Sequence, residues 1–190
     1  MSSAAITYRM AESSPRPRAR LTGIIYMLYF LTAILAQLLV GRKFIAVGNA
    51  TNLISTGCYI LLTLFFYRMF NPVNKILSLL AALFSMAGCA VMTLGFFYPA
   101  SVSFSPLIFF GPFCILIGYL VFRSKFLPRI LGVLMVLAGL GWLAFLWPQV
   151  ANHLSNYIEA LGIFAEASLM LWLIVKGVNV QRWNEQANAA

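Results

Sequence analysis

The chain has 190 residues, of which 62% are hydrophobic and only 9% charged. A soluble domain carries roughly 25% charged residues, so this composition cannot cover a surface in water and excludes an ordinary soluble fold. The net charge of +9 would suit a nucleic-acid binder, but the basic residues stand in short clusters between apolar runs. That is the pattern of loops beside anionic lipid headgroups, and it excludes nucleic acid as the partner.

Residues 1–20 are polar and basic, with Arg9, Arg16, Arg18, Arg20, Pro15 and Pro17. They read as a cytoplasmic arm, disordered or lying on the surface. The apolar run 21–40 follows. A secretory signal has an apolar stretch of roughly 7–15 residues ending at an A-x-A-like site. This run is longer, and Ala33-Ile34-Leu35-Ala36 is a poor match, so it reads as an uncleaved first span. A helical span takes about 20 apolar residues at about 1.5 Å each, and six segments qualify: 21–40, 49–67, 76–98, 102–122, 130–147 and 154–175. Strands of a membrane barrel would alternate in polarity over about ten residues. These runs are continuous and longer, so the predicted fold is all-α, a polytopic bundle of about six transmembrane helices over residues 21–176. Residues 177–190 are its cytoplasmic tail.

The breaks between spans carry turn chemistry: Asn71-Pro72, Tyr98-Pro99, Leu127-Pro128 and Trp147-Pro148. With six spans, Arg42 and Lys43 lie on one side and the other eleven of the 13 basic residues on the opposite one. The rule that cytoplasmic loops hold the excess of Lys and Arg puts both termini inside. The basic turns Arg68–Lys75 and Arg123–Arg129 resemble each other about 55 residues apart. Short basic turns resemble each other by need, and a duplicated helical hairpin is the alternative. Gly88/Gly95, Gly111/Gly118 and Gly132/Gly139 are each seven apart, which puts two small residues on one helical face and predicts close helix packing. Cys58, Cys89 and Cys114 each lie inside an apolar run and read as packing residues. One histidine, His153, and no aspartate leave no metal-ligand cluster, and no cofactor motif is present.

Chemistry concentrates in the sixth span. Glu159 and Glu166 are seven residues apart and so share a helical face. Entering from outside near residue 154, Glu166 falls about 18 Å deep, close to the midplane of a ~30 Å hydrocarbon core. A carboxylate there must face the bundle interior and be paired or protonated. Its candidate partners in an outward-facing polar cavity are Gln37, Asn52 and Asn156, with Asn49, Thr51, Ser55, Thr56, Asn152 and His153 nearby. Arg123, Lys125 and Arg129 are candidate contacts for anionic lipid.

The stretch Phe122-Arg123-Ser124-Lys125-Phe126-Leu127-Pro128-Arg129-Ile130-Leu131-Gly132, followed by Ala138-Gly139-Leu140-Gly141-Trp142, resembles the signature of a bacterial integral membrane family known as a domain of unknown function (number 4386). Phe70-Asn71-Pro72-Val73-Asn74-Lys75 resembles its second-loop motif, Leu171–Gly177 its closing motif and Gly23-Ile24-Ile25-Tyr26 its opening. The resemblance covers roughly residues 18–178, with a compressed outer loop between the first two spans. It implies six spans in a bacterial inner membrane and no activity. Three functions follow in order. The first is a non-catalytic membrane protein acting through the lipid bilayer, a second copy of itself or a membrane partner protein. The second is a small transporter with a titrating intramembrane glutamate. A membrane-embedded enzyme stands a distant third, because the reactive groups sit on one helix.

Overall fold

The computed structural model describes residues 15–98 and 105–189. They form seven α-helices with no strand among the described residues. These are α1 (Pro15–Gly41), α2 (Ile45–Phe70), α3 (Lys75–Phe97), α4 (Leu107–Arg123), α5 (Arg129–Leu143), α6 (Pro148–Val175) and α7 (Val180–Asn188). A 3-10 turn, Ala144–Leu146, continues α5. α1, α2, α3, α5 with its 3-10 turn, and α6 are long and apolar enough to cross a membrane. The apolar α4 has 17 residues, about 26 Å of helix. The first residues of the expected fourth span, 102–104, lie outside the described residues. The chain is a polytopic helical membrane protein.

One terminal segment differs from the sequence reading, and the other holds a helix that the reading did not assign. Residues 15–20 of the arm are the start of α1. Pro15 and Pro17 fall in the first turn, where a missing N–H breaks no helical bond, and Ala19 and Thr22 are buried. The rest of the expected arm, residues 1–14, lies outside the described residues. In the tail, 180–188 forms α7. The Asn179 side chain caps it by accepting from the Arg182 N–H at 3.1 Å, and Trp183 Nε1 donates to the Met69 carbonyl at 3.3 Å. Val180, Trp183 and Ala187, on one face, are half-buried. Between α6 and α7, Gly177 takes φ +67°. This left-handed conformation ends α6 with the Gly177 N–H on the Trp172 carbonyl at 3.1 Å.

The bundle is apolar outward. Along α1, Leu21, Ile24, Leu28, Leu31, Leu35 and Leu38 are exposed at spacings of three and four, while Thr22, Gly23 and Tyr26 are buried on the other face. In water this arrangement would leave a leucine stripe exposed; in a bilayer it is the lipid-facing surface. Each helix packs on the next in sequence and α6 packs back on α1, which closes a ring of six. Aromatic side chains fill its interior. Tyr59 of α2 meets Phe110 and Phe113 of α4 edge-on at 5.1 and 5.8 Å, and meets Tyr29 of α1 at 4.7 Å. A short polar contact joins α2 to α3, with Thr63 Oγ1 and Ser85 Oγ 2.6 Å apart.

The tightest crossing is α4 against α5. A Cβ at Gly118 would lie 2.6 Å from the Gly132 carbonyl oxygen, and one at Gly132 would lie 2.5 Å from that of Gly118. One heptad away, a Cβ at Gly139 would lie 2.6 Å from the Gly111 oxygen. Two of the predicted glycine pairs therefore zip one antiparallel pair of helices inside the chain. In the third, Gly88 lies under the Phe110 ring, while Gly95 has nothing within 4 Å.

Candidate functional site

Glu166 sits on α6 next to the buried stripe Ile158, Ala165, Leu169 and Leu173, and is itself buried. It is covered there because α1 lies close. A Cβ at Gly23 would be 2.8 Å from the Ile174 backbone nitrogen, and Arg20 Nη2 donates to the Val175 carbonyl at 3.3 Å. This approach brings Tyr26 to the carboxyl group. Its hydroxyl donates to Glu166 Oε2 at 2.7 Å. Tyr26 is fully buried and is held by Phe30 at 5.4 Å and, edge-on, by Phe66 at 5.9 Å. Burial of two polar groups is tolerable only when each finds a partner.

The carboxyl group opens on a cavity of about 150 Å³. Five aromatic side chains line it with Glu166: Tyr29 and Phe30 from α1, Tyr59 from α2, Phe110 from α4 and Trp142 from α5. Met92, Leu107 and Ile163 complete the wall, and no Lys, Arg or His is among its lining residues. Trp142 reaches it because Gly162 of α6 leaves room; a Cβ there would collide with the indole ring. Among the described residues, Trp142 Nε1 is the one buried side-chain polar atom without a hydrogen-bond partner. The site thus presents a carboxyl group and five aromatic side chains. Ring faces carry negative charge density and attract cations. The volume equals roughly five waters, well below that of a drug-sized pocket.

The sequence-derived partners are not gathered here. Glu159, Asn156 and Gln37 are exposed, and Asn52 is half-buried without lining the cavity. Glu159 shares the angular face of Glu166 but lies about 10 Å further along the helix, where its side chain is exposed. His153 is exposed, with Nδ1 2.9 Å from the Gln149 carbonyl. The Asn152 side chain lies outside the described residues. Tyr26 and the five lining aromatics, Tyr29, Phe30, Tyr59, Phe110 and Trp142, are the residues that sequence reasoning missed. A tyrosine inside an apolar span still needs a partner for its hydroxyl, and that requirement is the signal that pairs it with the deepest acid. At the other end of the chain's surface chemistry, Arg123, Lys125 and Arg129 are exposed around one depression, which Arg182 of α7 also lines.

Residues 100–177 match the family described as "Domain of unknown function (DUF4386)". The match includes the α4–α5 turn, Trp142, Gly162 and Glu166, and leaves the opening and second-loop segments outside it. An uncharacterised protein of Archaeoglobus fulgidus is 30% identical over 120 residues, covering 58% of this chain and 72% of the relative. The similarity therefore reaches an archaeon. No solved structure matches the chain. The chain belongs to the family described as a domain of unknown function (DUF4386).

Proposed function

We propose that this protein is a non-catalytic, multi-pass membrane protein that holds a small positively charged solute at Glu166. The observation that carries this reading is the aromatic cavity of about 150 Å³ onto which the Glu166 carboxyl opens. A solute cation supplies the counter-charge that the lining lacks, and the five rings surround it as in sites that recognise ammonium groups. Tyr26 holds one carboxyl oxygen, which leaves the other to meet the solute.

The test is thermal unfolding of the purified protein in detergent with trimethylammonium, and with tert-butanol as an uncharged probe of similar size. The cation is expected to raise the melting temperature saturably, by the equivalent of about 2.7 kcal/mol at roughly a hundredfold excess over Kd. tert-Butanol is expected to leave it unchanged, and Glu166→Gln to abolish the cation effect. Equal stabilisation by both probes, or an undiminished effect in Glu166→Gln, contradicts the reading.

The proposed setting is a prokaryotic cytoplasmic membrane, bacterial by the family resemblance, with both termini inside. The bias of eleven basic residues against Arg42 and Lys43 supports it. Reporter fusions after residues 72 and 126 are expected to report the cytoplasm, and those after 101 and 150 the outside. The opposite pattern inverts the orientation.

A further inference from the structure

A second site is independent of Glu166. At the end of the bundle that carries most of the basic residues, a depression of about 760 Å³ is lined by Phe122, Arg123, Lys125, Arg129, Arg182 and Glu185, among others. Three of its cations come from the α4–α5 turn and one from α7. The two elements are tied together: the Lys125 N–H donates to Gln186 Oε1 at 3.1 Å, and Arg182 Nη1 donates to the Lys125 carbonyl at 3.4 Å. Two guanidinium groups rest on aromatic rings, Arg123 at 6.0 Å from the Tyr119 centroid and Arg129 at 5.5 Å from that of Phe122. The single acid, Glu185, accepts from Gln181 Nε2 at 3.3 Å. Four cations and one acid form a strongly positive depression, and arginine forks match phosphate oxygens.

The apolar surface beside it identifies the rest of the ligand. Ile130, Val133, Leu137 and Leu140 are exposed at spacings of three and four along α5, starting one residue after Arg129. Tyr119 and Phe122 are exposed alongside on α4. A phosphate with its charge in the depression has a continuous apolar track leading from it into the membrane, and a free phosphate would leave that track unused. We propose that α7 and the α4–α5 turn form a binding site for the phosphate of an anionic phospholipid, with Arg182 and Arg129 as its principal donors and the α5 stripe taking an acyl chain.

The experiment is native mass spectrometry of the full chain released from detergent containing equimolar phosphatidylglycerol and phosphatidylcholine. Wild type is expected to retain phosphatidylglycerol in preference, and Arg182→Gln or Arg129→Gln to lower that retention about fivefold each. Lys75→Gln removes the same charge from the same end of the bundle but not from this depression, and is expected to retain the wild-type level. Arg182→Lys, which keeps the charge and loses the fork, is expected to fall between. Thermal unfolding of each variant at the wild-type temperature separates lipid loss from misfolding. Equal retention of the two lipids, or equal losses in Arg182→Gln and Lys75→Gln, overturns the site. Displacement of the lipid by millimolar inorganic phosphate at unchanged ionic strength overturns the lipid assignment in favour of a free phosphate.

Discussion

Gly132→Ala is expected to destabilise the folded bundle by about 1–3 kcal/mol, the cost of overpacking a close-packed contact. Gly118→Ala is expected to do the same. The added methyl group meets a backbone carbonyl oxygen at 2.5 Å in the first case and 2.6 Å in the second. Backbone cannot rotate aside as a side chain can, so the two helices must separate. Separation at one level also strains the Gly111–Gly139 level on the same two faces. The comparison is Gly57→Ala on α2, where nothing lies within 4 Å of the new methyl group. That change is expected to be neutral or stabilising by up to ~1 kcal/mol, because alanine is the better helix former. Reversible unfolding in mixed micelles measures all three. Equal effects at the three positions would mean that α4 and α5 do not cross at these glycines.

Tyr26→Phe is the second large effect. It removes the donor to Glu166 Oε2 and leaves a buried acceptor unsatisfied, at a cost of about 1–3 kcal/mol. Glu166→Gln is expected to cost less, because the amide oxygen still accepts from the Tyr26 hydroxyl. The order of the two variants is informative. If Glu166→Gln unfolds more easily than Tyr26→Phe, the hydroxyl is not what holds the carboxyl group in place. A double-mutant cycle gives the coupling directly, since two groups in contact are expected to be non-additive.

The membrane architecture was legible because it is written in local composition. Runs of apolar residues near twenty long, broken by Asn-Pro, Leu-Pro and Trp-Pro pairs, specify helices without reference to their neighbours. The glycine pairs at seven-residue spacing also announced close packing, though not that Gly118 would meet Gly132 within the chain. Glu166 stood out for the same local reason, a charge far inside a span. Its surroundings were not legible. Helical spacing fixes the angle of a side chain but not the neighbour that covers it, so Glu159 and Glu166 share a face and differ in burial. Gln37 and Asn156 were grouped with Glu166 by polarity and end up exposed. The residues that do surround it, Tyr26, Tyr59, Phe110 and Trp142, look like ordinary span aromatics. They converge only because the ring closes between α1 and α6. α7 was missed because 180–188 is polar and has no apolar run. What makes it a helix is the Asn179 cap and its docking through Trp183.

Direct contact between solute and cavity is the sharpest check on the Glu166 site. Saturation-transfer NMR would irradiate the aromatic protons of the protein in micelles and read the methyl signal of trimethylammonium. Transfer to the methyl groups in wild type, lost in Glu166→Gln while that variant remains folded, is the expected result. No transfer in wild type, or equal transfer in both proteins, would contradict a cation held by Glu166 among the aromatic rings.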